Sequence, residues 1–200
     1  MAAKSSPEDK LVTAALAAIE EQGWAALSLT AIARKAKIPP QTMYEMCPDK
    51  RALLSLMAKR TDIALLERAD EPDKDAPARD RAFEAILNWF EGLAPMRPAL
   101  RIIHKESAGH LGGIIDLIPA TMRSAQWIAD CAALPSTGWE GFFVTRAIGL
   151  LLAETLGVWL NDGDDLAKTM AHVDRRMRTM EEWVSALRQA NKSEETPDTD

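Results

Sequence analysis

The sequence predicts an all-α fold in which a three-helix N-terminal module with a helix-turn-helix precedes a larger helical C-terminal domain. Apolar residues recur at helical spacing along most of the chain. Alternating runs of β-branched and aromatic residues are nearly absent, and no Asn-Gly hairpin is present. A tight turn before a short third helix favours a helix-turn-helix. We expect domains at residues 1–55 and 56–190, and a disordered tail at 191–200.

Four helices are predicted before residue 70. Leu11–Ile19 places apolar side chains on one face, and Gly23 is a natural stop for that helix. Ser28 is a suitable cap for a short second helix. The pair Pro39-Pro40 can begin the third helix because proline is tolerated in the first turn. A fourth helix should start near Asp49, which is also a good cap.

The charged, proline-bearing segment Asp70–Asp80 is either the linker between module and body or a loop between body helices. Helical spacing resumes at Phe83–Phe90. Further helices are expected over Ala99–His110 and Ile114–Ala133, and Pro119 predicts a kink or break in the second of these.

Two strongly periodic helices close the chain. The run Ile148–Trp159 is apolar around much of its circumference, and the next helix repeats apolar residues in steps of four and three, as a packing seam does. A helix buried on more than one face needs more than one partner. These helices therefore predict a homodimer with a four-helix interface; the alternative is a monomer core. The predicted interface residues are Ile148, Leu152, Leu156, Trp159, Val173, Met177, Met180 and Val184.

Composition is that of an ordinary soluble domain, with 200 residues and 47% hydrophobic content. Two cysteines make no disulfide scaffold, so a cytoplasmic protein is expected. The N-terminus has no apolar stretch of signal-peptide type. The most apolar run, Ala147–Leu160, is shorter than a bilayer span and predicts a buried helix without stable membrane insertion.

Charge is distributed unevenly along the chain. Residues 1–60 hold nine Lys or Arg and six Asp or Glu, giving +3, and the remaining residues hold fifteen and twenty-four, giving −9. A small basic nucleic-acid-binding module joined to a larger acidic domain would show this asymmetry. The alternative is that the uneven charge distribution arose by chance.

The sequence contains no catalytic, phosphate-binding or dinucleotide-binding motif. Glu106 and His110 are four residues apart, which suits either a metal or acid–base pair or a plain surface pair. We therefore predict no enzymatic activity, no catalytic residue, no metal and no cofactor.

The third helix is the element that such a module inserts into the major groove. Gln41 and Thr42 can read base edges. Tyr44 can donate a hydrogen bond to phosphate, and Lys50 stands at a helix N-terminus that also attracts phosphate.

The residues Ser28-Leu-Thr-Ala-Ile-Ala-Arg-Lys-Ala, Ile38, Thr42-Met-Tyr44 and Pro48-Asp-Lys50-Arg-Ala-Leu-Leu resemble the TetR family of bacterial transcriptional regulators. The resemblance covers about residues 8–57. It implies a TetR-like homodimer whose N-terminal helices bind double-stranded operator DNA, whose larger domain binds a small molecule, and whose last two helices form the dimer bundle. Carried over by position, the DNA-binding residues are Ser28, Pro40, Gln41, Thr42, Tyr44 and Lys50.

Several positions depart from that pattern. Lys37 stands where the family usually has a small residue or glycine, and Pro39-Pro40 stands where it often has a serine and a basic residue. Glu45 follows the tyrosine where a basic or aromatic residue is common. A carboxylate is repelled by phosphate, although one that faces cytosine is tolerated.

The second half of the chain looks similar to bacterial relatives of a ubiquinone-biosynthesis accessory family, which shares the TetR-like fold and binds lipids and not DNA. The residues that carry this likeness are Gln126-Trp127, Gly138–Arg146, Val158–Gly163 and His172–Met177. The last two segments can equally be a helix end and a structural charge cluster.

Five of the six tryptophans lie beyond residue 80, and the chain has nine methionines. Such side chains suit either an adaptable apolar pocket for a small hydrophobic ligand or lipid, or a plain core. His104 or Arg123 could meet a polar head group. The predicted pocket residues are Phe83, Leu87, Phe90, Ile103, His104, Ile115, Met122, Arg123, Trp127 and Phe143.

Overall fold

The computed structural model describes residues 6–107 and 111–179, and the described residues are helical with connecting turns. The helices of the first half are α1 (Pro7–Gln22), α2 (Leu29–Ala36), α3 (Pro40–Met46) and α4 (Lys50–Arg68). They are followed by α5 (Ala78–Leu93), a 3-10 turn at Ala94–Met96, α6 (Arg97–Ser107), α7 (Leu111–Cys131) and α8 (Gly138–Leu160). Residues 167–179 are also helical and are named α9. The all-α prediction is confirmed.

The ends of the first four helices follow local sequence signals. Ser6 and Asp9 form a reciprocal capping box at the start of α1, and Gly23 ends that helix at φ +85°. The Asp49 carboxylate caps α4 by accepting the amide hydrogen of Ala52 at 2.7 Å. Pro39 and Pro40 begin α3, as predicted.

The described chain divides into two compact units, Met1–Ala153 and Glu154–Asp200. In the first unit, α4 packs against α5, α7 and α1, and α1 packs against α2 and α6. The core of this unit includes fully buried side chains from four helices: Leu11, Ile32, Leu53 and Phe90. The predicted domain boundary after residue 55 falls inside α4, so one helix runs from the N-terminal module into the larger domain.

In the second unit, the turn after α8 is fixed by Asp162. Its side chain accepts hydrogen bonds from the Thr169 amide at 2.7 Å, the Thr169 hydroxyl at 2.8 Å and the Gly163 amide at 2.8 Å. The Arg176 guanidinium of α9 forms a paired hydrogen bond with Glu154 of α8, at 2.7 and 3.0 Å. The predicted helix end at Asn161–Gly163 is therefore a turn that side-chain hydrogen bonds stabilise.

Helix α7 continues through Pro119 without a break, and a kink at this residue stays a prediction. The start of α8 differs from the prediction. Helix α8 begins at Gly138, nine residues before the apolar run that predicted it. By length and composition α8 could cross a membrane, but core helices of soluble proteins meet the same criterion, and 44% of its apolar window is buried within the chain.

Candidate nucleic-acid interface

Helix α3 presents a defined outward face. Met43 is 4% exposed and fixes the inner side of the helix. On the other side Gln41 and Glu45 are exposed, and Tyr44 is 71% exposed. Thr42 is half-buried at the edge of this face. The structure thus brings the predicted reading residues together on one short helix, with the exposed Pro40 at its start.

The turn that sets the angle of α3 is built around Lys37 and Ile38. Lys37 adopts the left-handed conformation at φ 56° and is exposed. Its amide donates to the Arg34 carbonyl at 3.1 Å, and the Ile38 amide donates to the Ala33 carbonyl at 2.9 Å. These bonds close the end of α2, and the buried Ile38 side chain anchors the turn.

Ser28 is exposed at the cap position of α2, but its side chain does not cap the helix. The Ser28 hydroxyl is instead 2.9 Å from the Thr30 hydroxyl. Both hydroxyls therefore face solvent at a helix N-terminus, where a phosphate is favoured.

Lys50 is held by the loop between α1 and α2. Its Nζ donates to the carbonyls of Trp24 at 2.7 Å and Ala25 at 3.1 Å, and it lies 5.1 Å from the centroid of the Trp24 ring. Lys50 thus ties this loop to the start of α4. The predicted phosphate contact of Lys50 stays a prediction.

The same loop is also held by α6. The Glu106 carboxylate accepts the Ala25 amide hydrogen at 2.7 Å. A Cβ at Gly23 would lie 2.6 Å from the other Glu106 oxygen, so the loop backbone and this side chain fit closely. In the sequence, Glu106 stands out only by its spacing from His110, which lies outside the described residues. The contact joins residues 81 positions apart, and no local pattern signals it.

Cys47 links α3 to α4 as a buried thiol. It is 1% exposed, and its sulfur donates to the Asp49 carbonyl at 3.4 Å. Burial, aided by the nearby Asp49 charge, raises the pKa of this thiol to about 11. Cys47 therefore stays protonated and acts as a small core residue.

The predicted pocket residues do not gather around one described cavity. Phe90 and Ile103 are buried, while Phe83, Leu87 and Met122 are half-buried. His104, Arg123, Trp127 and Phe143 are exposed, and the side chain of Ile115 lies outside the described residues.

A cavity of about 290 Å³ lies elsewhere, between the ends of α4 and α7, the start of α5 and the loop before it. Arg81 lines this cavity, and its guanidinium donates hydrogen bonds to the backbone carbonyls of Ala132, at 2.8 Å, and Ala76. None of the predicted pocket residues lines it. Its lining is Leu65, Ala69, Asp70, Glu71, Pro72, Asp73, Ala76, Asp80, Arg81, Glu84, Ala85, Asn88 and Cys131.

A buried carboxylate joins α4, α5 and α7. Asp62 is 3% exposed and accepts a hydrogen bond from Trp89 Nε1 at 3.1 Å. Arg123 Nε lies 3.8 Å from the other Asp62 oxygen, and an Arg123 nitrogen donates to the Ser55 carbonyl at 2.9 Å. Burial raises the pKa of Asp62, while Ser124, Trp89 and Arg123 act in the opposite direction. Arg123 thus joins α7 to α4 in this structure.

Five of the residues predicted for a dimer interface have little exposed surface in this single chain. Ile148, Leu152, Trp159, Val173 and Met177 are buried, and their role at an interface stays a prediction. Leu156 is half-buried. Met180 and Val184 lie outside the described residues, as does the predicted tail at 191–200.

The exposed apolar side chains of α8 are instead Trp139, Phe142, Phe143 and Leu150, which are 48–74% exposed. Phe143 makes edge-to-face contacts with Trp139, at 6.0 Å between ring centroids, and with Phe142, at 5.4 Å. The Arg146 guanidinium stacks 3.4 Å from the centroid of the Phe142 ring. We call this set, with Arg146, the α8 aromatic face.

Metal-binding residues do not cluster in the part of the chain that the structure describes. Within it, no group of three or more His, Cys, Asp or Glu side chains could hold a metal ion.

Comparison with known proteins gives the N-terminal module a family. Residues 11–57 match the family model described as "Bacterial regulatory proteins, tetR family". None of the curated proteins matches the chain.

Solved structures share the fold at low sequence identity. A TetR transcriptional regulator from Nitrosomonas europaea ATCC 19718 is 20% identical to this chain and superposes with a TM-score of 0.66. The match covers 89% of this chain and 99% of that regulator. A TetR transcriptional regulator from Rhodococcus sp. RHA1 is 17% identical, with coverage of 86% and 94% and a TM-score of 0.62. GusR from Salmonella enterica is 19% identical, with coverage of 86% and 92% and a TM-score of 0.52.

The resemblance of the N-terminal segment to the TetR family is therefore confirmed, and the likeness of the second half to the ubiquinone-biosynthesis accessory family stays a prediction. Residues 11–57 match the model of the TetR family, and the chain has the fold of TetR-family transcriptional regulators.

Proposed function

We propose that this chain is a cytoplasmic transcriptional regulator that binds double-stranded operator DNA as a homodimer, and that a small apolar ligand in the larger domain modulates this binding. The observation that carries the proposal is the exposed face of α3 within a TetR-family DNA-binding domain. Ser28, Pro40, Gln41, Thr42, Tyr44 and Lys50 are the proposed contacts to DNA.

The roles of these side chains follow from their chemistry. Gln41 carries an amide that pairs with the N6 and N7 atoms of adenine, and the Thr42 hydroxyl can pair with several base edges. Tyr44 and Ser28 carry exposed hydroxyls that suit phosphate oxygens. Lys50 adds positive charge at the start of α4 while it holds the loop between α1 and α2.

The homodimer is proposed to form through the α8 aromatic face. Trp139, Phe143, Arg146 and Leu150 are spaced by four, three and four residues, so they form one stripe along the helix. Large exposed apolar patches mark interaction sites. A two-fold axis beside this stripe would pair it with the same stripe of a second copy.

Coupling between the two domains is proposed to pass through α6. Glu106 of α6 and Lys50 of α4 both form hydrogen bonds with the loop between α1 and α2. A ligand that shifts α6 would shift this loop, and thereby the α1–α3 module. Coupling requires that ligand and operator favour different positions of the module.

Selection from a pool of random DNA duplexes tests this function without knowledge of the operator. The full-length protein is expected to enrich an inverted repeat, because two copies of α3 read two half-sites. Gln41→Ala should reduce discrimination at one base pair in each half-site by about 1–3 kcal/mol. Glu67→Ala, at an exposed position near the end of α4, is the matched control and should enrich the same repeat. Failure to enrich any sequence would refute the proposal.

A second candidate function is lipid binding without DNA readout. The observations that favour it are the α8 aromatic face and the exposed Glu45 on α3. Organic extraction of the purified protein followed by mass spectrometry tests it. A stoichiometric isoprenoid or acyl lipid, together with no enriched DNA, would support this second function.

A further inference from the structure

The outward face of α3 carries an unpaired carboxylate. Glu45 lies four residues after Gln41, so the two side chains share the same face one turn apart. Both are exposed, and the buried Met43 fixes the opposite side of the helix. Among the described residues, no cation forms an ion pair with Glu45. Its charge is therefore available to whatever this face meets.

Only part of a DNA duplex accepts a carboxylate. An ionised carboxylate offers hydrogen-bond acceptors only, and it is repelled by phosphate oxygens. In the major groove, guanine presents two acceptors and thymine presents an acceptor and a methyl group. Adenine presents an amino donor beside the N7 acceptor, whereas cytosine presents its N4 amino donor without that acceptor. Cytosine is therefore the base that best matches Glu45.

We infer that Glu45 is a specificity residue that selects a C·G base pair in each operator half-site by accepting a hydrogen bond from the cytosine N4 amino group. This inference rests on the proposed DNA-binding function and names the base that the site recognises. One helical turn rises about 5.4 Å, and stacked base pairs are about 3.4 Å apart. The C·G pair should thus lie one or two base pairs from the pair that Gln41 reads.

The experiment uses fluorescence anisotropy on the duplex that the wild-type protein enriches, and on duplexes in which one base pair at a time is replaced. The affinity of wild type should fall at least about tenfold when the C·G pair is changed to T·A, since one good base contact changes the affinity by about that factor. Glu45→Gln should lose this discrimination or transfer it to A·T, because an amide pairs well with adenine. Glu45→Ala should bind all four pairs at that position about equally.

Two results would overturn the inference, and they are distinguishable. If wild type binds its repeat selectively but Glu45→Gln and Glu45→Ala keep the same preference at every position, Glu45 reads no base, although the regulator function stands. If wild type binds no duplex selectively, both the inference and the proposed function fail. Glu67→Gln, the same chemical change at an exposed position on α4, should leave every preference unchanged.

Discussion

Lys37 shows how the conformation of a single residue sets the turn between α2 and α3. It is a non-glycine residue at φ 56°, in the turn that leads into α3. The left-handed conformation costs most residues about 1 kcal/mol relative to glycine. Lys37→Gly should therefore raise the free energy of unfolding by about that amount, as measured by denaturant unfolding.

Lys35 provides a control of opposite sign. It is exposed in the last turn of α2 and pairs with Glu21 at 2.5 Å. Lys35→Gly should lower the free energy of unfolding by about 1 kcal/mol, because glycine is unfavourable in a helix. If both variants were destabilised, the strain assigned to Lys37 would be contradicted.

Asp62 should make stability depend on pH, because burial raises its pKa in the folded chain. Below its ordinary pKa this carboxyl is protonated in both states and carries no charge penalty. As the pH rises from the ordinary pKa towards the raised one, the unfolded chain releases its proton first, so the free energy of unfolding falls. Above the raised pKa this loss is complete.

Asp62→Asn should remove that loss while its side-chain oxygen still accepts the Trp89 hydrogen bond. The variant should be more stable than wild type at about pH 7, and the difference should vanish near about pH 3. Urea unfolding across this range measures it. Asp62→Ala should instead cost about 1–3 kcal/mol, because it leaves the buried Trp89 N–H without a partner. A pH-independent difference between Asp62→Asn and wild type would contradict the assignment.

Helix α6 holds the loop between α1 and α2 through the side chain of Glu106. Glu106→Ala should remove the hydrogen bond to the Ala25 amide, and hydrogen exchange at that amide should become faster. Glu106→Gln keeps an acceptor and should retain most of the protection. Each removed bond of this kind is worth about 0.5–1.5 kcal/mol. Equal exchange in wild type and Glu106→Ala would show that α6 does not hold the loop.

At the scale of elements, the sequence predicted helix ends better than helix faces. Gly23, Pro40 and Asp49 mark ends because turns and caps are local. The start of α8 at Gly138 was missed, because Glu140, Gly141, Thr145 and Arg146 interrupt the apolar pattern that defined the helix. The side of α8 that faces the core depends on packing partners distant in sequence. Ile148, Leu152 and Trp159, which the sequence predicts for a dimer interface, are buried within this single chain, and the interface stays a prediction.

At the scale of the whole molecule, the proposed dimer predicts that a charge on the α8 aromatic face will separate the protomers. Phe143 is 61% exposed, so Phe143→Glu should fold and behave as a monomer in light scattering after size-exclusion chromatography. Burying an unpaired charge at a contact is strongly unfavourable. Ile63→Glu, at a 45% exposed apolar position on α4, is the matched control and should stay dimeric. A dimer in both variants would place the contact elsewhere.

The candidate site was predictable in part. The residues of α3 come from one short segment, so spacing alone placed Gln41, Thr42 and Tyr44 on one exposed element. The hydrogen bond between Ala25 and Glu106 could not be predicted from local spacing. Ala25 meets Glu106 across 81 residues, and only the packing of α1 against α6 brings them together.

The proposed regulator should bind DNA sequence-selectively. The most direct measurement is fluorescence anisotropy of the full-length protein on the DNA upstream of its own gene and on a scrambled duplex, at two salt concentrations. The protein should bind the upstream DNA at least about a thousandfold more tightly than the scrambled duplex, and this binding should weaken as the salt concentration rises. Equal and weak binding to both duplexes would contradict it if random-duplex selection also yields no motif.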